Sequence, residues 1–200
     1  MVDPSPPRGE RADAARNRER VLAAAQDLLR DDPRGTTMED IAREAGVGKA
    51  TLYRRYPDKA AIAVALLDEH ERELQERLLS GPPPLGPSET ASPADRLSAF
   101  YRAYLDFLEA NGHLSIAIED TGQRLSTGAH GSWRTHVAAL LEAAGVAGDP
   151  ALLAEQLLAP LAPDLVAHER RSGRSVAELA GALDVLARRV VSDKEFRTRR

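Results

Sequence analysis

Residues 36–59, "TTMEDIAREAGVGKATLYRRYPDK", constrain the fold most, because they require two short helices with almost no linker between them. Thr37 followed three residues later by Asp40 predicts a capping box, in which the hydroxyl satisfies an amide at a helix start. Gly46 is placed to end that helix, and a second short helix is predicted over residues 48–56, before a proline. A turn this tight, pivoting on glycine, forces the two helices to cross steeply.

The second short helix has two different sides, because residues three and four apart share a helix face. Leu52 and Tyr56 form the side predicted to pack on the preceding helices. The other side has a small residue near its start and is otherwise formed by cations and a tyrosine: Lys49, Ala50, Tyr53 and Arg54. Small residues let a backbone approach base edges in the major groove, while lysine, arginine and tyrosine donate to phosphates. The alternative is an ordinary helical hairpin with a solvated basic face.

Charge is distributed unevenly along the chain. The 200 residues carry a formal net charge of -4, which argues against a protein that is cationic all over. Residues 47–59 hold four cations and one anion, a local charge of +3. The chain has no cysteine, which excludes disulfide scaffolds, thiol catalysis and cysteine-ligated metals. No apolar run is long enough to span a bilayer and no signal peptide is evident, so we expect a cytoplasmic protein without a membrane partner.

The rest of the chain predicts an all-α fold, with apolar residues at helical spacing and no convincing strand alternation. Prolines and glycines divide it, and Pro160 and Pro163 should kink or split a segment over residues 150–171. Separate helices are expected near 113–121 and 130–145. The predicted organisation is a disordered tail at 1–12, a three-helix helix-turn-helix domain at 13–57, a connecting helix at 58–79, a loop at 80–93, a larger helical body at 94–192 and a tail at 193–200.

The helix-turn-helix segment resembles the DNA-binding segment of the TetR/AcrR family of bacterial transcriptional regulators. The similarity extends over about 45 residues, from Val21 to Leu66, and several short stretches stand in register with the family's usual pattern. Those stretches are Ile41-Ala42, Ala45-Gly46-Val47, Thr51-Leu52-Tyr53 and Lys59. The resemblance implies double-stranded operator DNA as a partner, a homodimer, and a small-molecule effector that releases a repressor from a palindromic operator.

The resemblance also implies roles for single residues. Thr37, Tyr53 and Lys59 would contact phosphates, Arg54 would flank the groove, and the remaining contacts would come from the start of the recognition helix: Gly48, Lys49, Ala50 and Thr51. Three departures from the family's pattern bear on the choice of operator sequence. They are Gly48 for serine or threonine, Ala50 for glycine, and Arg55-Tyr56 for an aromatic pair. Arg16, Arg18 and Arg20 either add DNA contacts or form a solvated helix start.

The larger helical body is expected to dimerise and to hold a ligand. Apolar residues of the last helix at alternating spacings of three and four predict a packing seam, and its members Leu179, Leu183, Leu186 and Val190 are the expected dimer contacts. The seam could instead pack within its own chain. Aromatic residues with a few polar ones could line a ligand pocket, or could be plain core: Phe100, Tyr104, Phe107, Trp133, His113, Glu119, Arg124 and His136.

The functions that compete with DNA-dependent repression are an enzyme and a different role of the same fold. An enzyme would need a nucleophile such as Ser132 beside His136, yet no nucleophile elbow or glycine-rich phosphate loop accompanies them, so no enzyme activity is expected. No cofactor and no metal site are expected either. An activator of the same fold, or an interaction protein that responds to no effector, remains the alternative to a repressor.

Overall fold

A computed structural model describes residues 8–119 and 129–192 of the chain, and helices make up most of them. No β-strand forms within these two ranges. The helices are α1 (Arg8–Asp31), α2 (Met38–Glu44), α3 (Lys49–Arg55), α4 (Lys59–Ser80), α5 (Pro93–Glu119), α6 (Ala129–Ala144), α7 (Pro150–Leu158), α8 (Pro163–Arg171) and α9 (Val176–Ser192), with a 3-10 turn at Ala159–Leu161 between α7 and α8. The all-α prediction is therefore confirmed for the described residues.

The helices form two compact units. In the described residues the first unit comprises 8–69 and 113–119, and the second comprises 70–112 and 129–192. The long helices α4 and α5 each contribute residues to both units. The domain boundary predicted near residue 58 thus differs from the division by contacts, since the units divide within helices rather than at a loop.

The first unit has a small apolar core. Buried side chains come from α1, α2, α3, the first half of α4 and the end of α5, and they include Leu29, Ile41, Leu52, Ile62 and Leu114. Helix α1 begins at Arg8, five residues before the start that the sequence predicted. The extension is reasonable because arginine, glutamate and alanine, which dominate residues 8–16, have high helix propensity. Residues 1–7 lie outside the described part of the chain.

The second unit is built around aromatic residues of α5. Phe100, Tyr101 and Leu97 are fully buried there, together with Trp133 and Leu141 of α6. The Tyr101 hydroxyl donates to the Leu157 carbonyl oxygen of α7 at 3.1 Å. Burial raises the pKa of Tyr101 above its usual value. The interior of this unit is therefore formed mainly by apolar and aromatic side chains.

Two predicted helices are a single helix in the structure. A break was expected before residue 113, but α5 continues from Pro93 to Glu119. Asn111 is buried here, and its side-chain amide donates to the Phe107 carbonyl oxygen one turn earlier, at 2.8 Å. Its Oδ1 lies 2.6 Å from Nδ1 of His70 on α4. These two bonds satisfy the buried amide of Asn111, a residue type that is otherwise unfavourable inside a helix.

Prolines act as expected in the segment over residues 150–171. The Asp149 carboxylate accepts from two backbone N–H groups at the start of α7, where Pro150 is the first residue. Pro160 lies in the 3-10 turn, and Pro163 begins α8. The prediction that Pro160 and Pro163 split this segment is confirmed.

Candidate nucleic-acid interface

Helix α2 begins with the predicted capping box. The Asp40 N–H donates to Oγ1 of Thr37 at 3.2 Å, and the Thr37 N–H donates to Oδ2 of Asp40 at 3.1 Å. The Thr37 hydroxyl also donates to Oδ2 of Asp40, and Arg43 pairs with Oδ1. These hydrogen bonds, from Thr37 first and Arg43 second, hold the pKa of Asp40 below its usual value. Thr37 is exposed, but its hydroxyl must leave Asp40 to donate to any phosphate.

Gly46 forms the turn between α2 and α3 with a left-handed backbone, at φ of 61°. Its N–H donates to the Arg43 carbonyl oxygen at 3.2 Å, and the Val47 N–H donates to that of Ala42 at 3.0 Å. This pair of bonds is a Schellman motif, which favours glycine at the left-handed position. The turn is therefore set by one residue, and only the four residues 45–48 separate the end of α2 at Glu44 from the start of α3 at Lys49.

Helix α3 presents the two sides that its spacing predicted. Leu52 and Tyr56 are buried, whereas Tyr53 is 44% exposed. Thr51 is half-buried, and the residues around it on the outer side are exposed: Gly48, Lys49, Ala50, Arg54 and Arg55. Gly48 caps the helix with an extended backbone and no side-chain hydrogen bond. The outer side therefore combines small residues at its start with cations and one aromatic hydroxyl.

A carboxylate from α2 contacts two of these outer residues. This contact was not predicted from the sequence. Oε1 of Glu39 lies 3.5 Å from Nζ of Lys49 and accepts a hydrogen bond from the Tyr53 hydroxyl at 3.4 Å. Glu39 stands in the first turn of α2, where the helix dipole favours an anion. The spacing within each helix gave no signal for this contact, because it joins two different helices.

Lys59 binds the loop before α2. Its Nζ donates to the carbonyl oxygens of Pro33 at 2.8 Å and of Arg34 at 3.0 Å. Since an ammonium has three protons, one remains for a phosphate. The preceding residue, Asp58, caps α4 by accepting from the Ala61 N–H at 2.8 Å, as its position before the helix predicts.

The arginines of α1 make contacts within the first unit. Arg16 pairs with Asp13, Arg18 pairs with Glu69 of α4 at 3.1 Å, and Arg20 donates to the Gly46 carbonyl oxygen at 2.7 Å. The three guanidinium groups are thus partly engaged, and Arg20 supports the turn between α2 and α3. A groove of about 540 Å³ lies between the start of α1 and α3, with side chains including Asn17, Arg18, Arg54 and Arg55 along it.

Comparison with known proteins agrees with this geometry. A family model described as "Bacterial regulatory proteins, tetR family" matches residues 21–66. These residues form a TetR-family domain. The matched range contains α2, α3, the turn at Gly46 and the first part of α4. It also contains every position that the sequence analysis assigned to DNA contacts except the arginines at 16, 18 and 20.

Individual proteins that this chain resembles are also regulators by name. The HTH-type transcriptional regulator SAR0097 of Staphylococcus aureus is 30% identical over 52% of this chain and 54% of its own length. The HTH-type transcriptional regulator EthR of Mycobacterium tuberculosis is 37% identical over 31% of each. This chain thus spans only about a third to a half of the length of these curated relatives. Both names describe transcriptional regulators and not enzymes.

Solved structures resemble the chain over nearly its whole length. A TetR-family transcriptional regulator from Pectobacterium atrosepticum covers 92% of this chain with a TM-score of 0.69 and 23% identity, and 98% of that protein is covered in return. A second such protein, from Mesorhizobium loti, covers 90% with a TM-score of 0.64 and 23% identity, with 96% of it covered. At these identities the likeness shows the fold alone, which the described residues share with these two proteins.

The residues expected to bind a ligand are only partly brought together. Phe100 lies 5.6 to 6.0 Å from each of three rings, measured between centroids: Tyr104, Trp133 and His136. Phe107 stacks on Tyr104 at 5.7 Å, and burial raises the pKa of Tyr104 to about 12. We call these five rings the aromatic cluster. The other three expected residues are not part of this cluster in the described structure. His113 belongs to the first unit, the structure describes only the backbone of Glu119, and Arg124 lies outside the described residues.

The expected dimer contacts are divided between interior and surface. Leu183 is 6% exposed and packs in the core of its own unit, and Leu179 and Val190 are half-buried against that core. Leu186 is 45% exposed and its neighbour Val185 is 60% exposed. The seam therefore packs largely within its own chain, because the face that includes Leu183 is turned toward α5 and α6. Leu183, which was expected to contact a second copy, is thus a core residue of its own unit.

The described residues contain no candidate metal site and no candidate membrane span. Within residues 8–119 and 129–192 no three histidines or acids are grouped so that they could hold a metal ion. No helix there is long and apolar enough to cross a bilayer. Ser132 is exposed, and the structure shows no hydrogen bond between it and His136 in this part of the chain.

Proposed function

We propose that the chain is a sequence-specific DNA-binding transcriptional regulator. The observation that carries the proposal is the outer side of α3, which follows a one-glycine turn and exposes Lys49, Ala50, Tyr53 and Arg54 within the TetR-family domain. In this arrangement α3 enters the major groove, Lys49, Ala50 and Thr51 lie near base edges, and Tyr53 and Arg54 reach phosphates. Gly48 permits close approach, and Thr37 and Lys59 add phosphate contacts from α2 and α4.

Selection of bound fragments from a random DNA pool tests the proposal. A sequence-specific dimer should enrich a palindrome whose half-sites lie about one helical turn apart, roughly 34 Å. The variant Tyr53→Phe combined with Lys59→Ala should weaken specific and nonspecific binding together, and should flatten the dependence of binding on salt by about one unit per lost phosphate contact. Arg102→Ala is a matched control, because Arg102 is an exposed cation of the second unit. Failure to enrich any sequence would overturn the proposal.

A homodimer is part of the proposal, because one helix-turn-helix reads too few base pairs for a useful specificity ratio. Exposed apolar side chains in the second unit support a contact with a second copy: Leu152 of α7, Leu165 of α8, and Val185 and Leu186 of α9. Large exposed apolar side chains are unfavourable in water and are typical of interfaces. The proposed contact therefore shifts along α9 from Leu183 to Val185 and Leu186.

Regulation by a small molecule is also part of the proposal, and the aromatic cluster supports it. Among the described residues, neither Nε1 of Trp133 nor Nε2 of His136 has a hydrogen-bond partner, although both atoms are buried. An unpaired buried polar atom is costly, and a bound ligand with a hydrogen-bond acceptor would pair with the Trp133 N–H. An effector that favours a conformation unable to match successive major grooves would release a repressor. In an activator of the same fold, the effector would instead favour the conformation that binds DNA.

Trp133 provides a direct measurement, because it is the only tryptophan in the chain. An effector bound at the aromatic cluster should change the tryptophan emission spectrum and raise the melting temperature. It should also weaken operator binding if the chain is a repressor. A compound that stabilises the protein without changing the Trp133 emission would place the site elsewhere.

A further inference from the structure

Glu39 brings a negative charge to the surface that is proposed to bind a polyanion. Its side chain is 46% exposed, so its carboxylate is accessible to solvent and to DNA. The same oxygen, Oε1, is shared by Lys49 and Tyr53, which stand one turn apart on the outer side of α3. A carboxylate at this place opposes phosphate binding, and it also restrains the two side chains that would contact DNA.

The two partners of Glu39 respond differently to DNA, because they have different numbers of protons to donate. The Tyr53 hydroxyl has one proton, so it must leave Glu39 to donate to a phosphate of any DNA sequence. The Lys49 ammonium has three protons, so it can remain with Glu39 while it donates to an acceptor on a base edge. The loss of the Tyr53–Glu39 bond therefore lowers the affinity for every DNA sequence equally. The Lys49–Glu39 contact, in contrast, can make the affinity for an operator differ from the affinity for other DNA.

We propose that Glu39 is a specificity-determining residue, which holds Lys49 toward the base edges and so disfavours its use on phosphates. This inference rests on the proposed function. On an operator, Lys49 keeps its contact with Glu39 and donates to a base. On other DNA no base acceptor is suitably placed, so Lys49 has no base partner while it stays with Glu39, and a move of its ammonium away from Glu39 toward a phosphate gives up that contact. Glu39 thus lowers nonspecific affinity more than operator affinity, which is how a repulsive element produces discrimination.

Glu39→Gln tests this role, because glutamine keeps the size of the side chain and removes its charge. Nonspecific binding should tighten about threefold, the scale of one exposed ion pair. Operator binding should change less, so that the ratio of the two affinities falls. The nonspecific salt slope should steepen by up to about 0.9, since Lys49 becomes available to one phosphate. Glu44→Gln, at the exposed other end of α2, removes the same charge and should leave the ratio unchanged.

A double-mutant cycle with Lys49→Ala identifies the route of the effect. Without Lys49, the Glu39→Gln change should no longer lower the affinity ratio. A ratio that Glu39→Gln leaves unchanged, or lowers equally in the presence and absence of Lys49, would overturn the inference while the DNA-binding function stands. A wild-type chain that prefers no sequence would overturn the proposed function and the inference with it. Circular dichroism of each full-length variant establishes that the comparison is between folded proteins.

Discussion

Arg20 donates from Nη2 to the Gly46 carbonyl oxygen at 2.7 Å, so a residue of α1 supports the turn between α2 and α3. The contact joins positions 26 residues apart in the chain. The resemblance to the TetR family left open whether this arginine contacts DNA. The structure gives it a partner within the protein, which leads to a prediction that separates the two roles.

Replacing Arg20 with alanine should lower the free energy of unfolding by up to about 1 kcal/mol, since the bond is exposed to solvent. Operator affinity should fall because the turn is less well held, but the salt slope should stay the same. A DNA-contacting arginine would instead flatten that slope by about one unit. Titration of operator binding at several salt concentrations distinguishes these outcomes. Arg30→Ala, at the exposed far end of α1, is the control.

Gly46 and Gly48 should respond in opposite ways to a side chain. Gly46→Ala should cost about 1–2 kcal/mol, because its φ of 61° is unfavourable for a residue with a Cβ. The strain comes from the backbone, since the only atom near the added Cβ is Nη2 of Arg20 at 3.8 Å. Gly48→Ser should stabilise by about 0.3 kcal/mol, because Gly48 caps α3 without a side-chain bond and glycine is only slightly poorer than serine at this position.

Urea denaturation of the two glycine variants measures both effects, and each variant controls for the other. A Cβ added at Gly48 would have one near neighbour, Oγ1 of Thr51 in α3, at 3.9 Å. Space is therefore available at both positions, and only the backbone conformation differs. Equal costs at the two glycines would contradict this explanation.

Leu183 and Leu186 are three residues apart on α9 and should give different results when charged. Leu186→Glu places a carboxylate on an exposed position, so the protein should stay folded but become monomeric and lose DNA affinity. Leu183→Glu places the charge in the core and should unfold the second unit. Analytical ultracentrifugation and circular dichroism measure the two outcomes. A folded dimer of the Leu186→Glu variant would remove this position from the interface.

The sequence predicted local features well, and the reasons are visible at particular residues. The capping box of Thr37 and the stop at Gly46 depend on neighbours within a few residues, so residue types and spacing were sufficient. The burial of Leu52 and Tyr56 followed from helical periodicity in the same way. The assignment of these residues to a DNA-binding family came from matching a pattern of several such local features.

Features that depend on distant partners could not be predicted. Asn111 lies inside the uninterrupted helix α5, where its side chain is bonded to His70, 41 residues away. The inward direction of Leu183 depends on which neighbours cover α9, and the same seam would suit either a core or an interface. The contact of Glu39 with Lys49 and Tyr53 required the crossing of α2 and α3. In each case the missing information was tertiary.

His136 should make the second unit sensitive to acid. Burial first, and the nearby charge of Arg96 second, lower the pKa of His136 from 6.5 to about 4. The unfolded chain therefore binds a proton below about pH 6.5 that the folded chain does not bind until about pH 4. The free energy of unfolding is unaffected by this group above pH 6.5 and falls as the pH decreases toward 4, by about 3 kcal/mol in total.

His136→Phe should remove most of this pH dependence, because phenylalanine has no proton to bind and fits beside Phe100, whose ring lies 5.6 Å from that of His136. Urea denaturation between pH 4 and pH 7 measures the change in slope. His130→Gln is the control, since His130 is an exposed histidine of the same helix. This variant should lose stability between pH 6.5 and pH 4 as the wild type does. If His136→Phe lost stability with acid as steeply as the wild type, the acid sensitivity would arise from other groups.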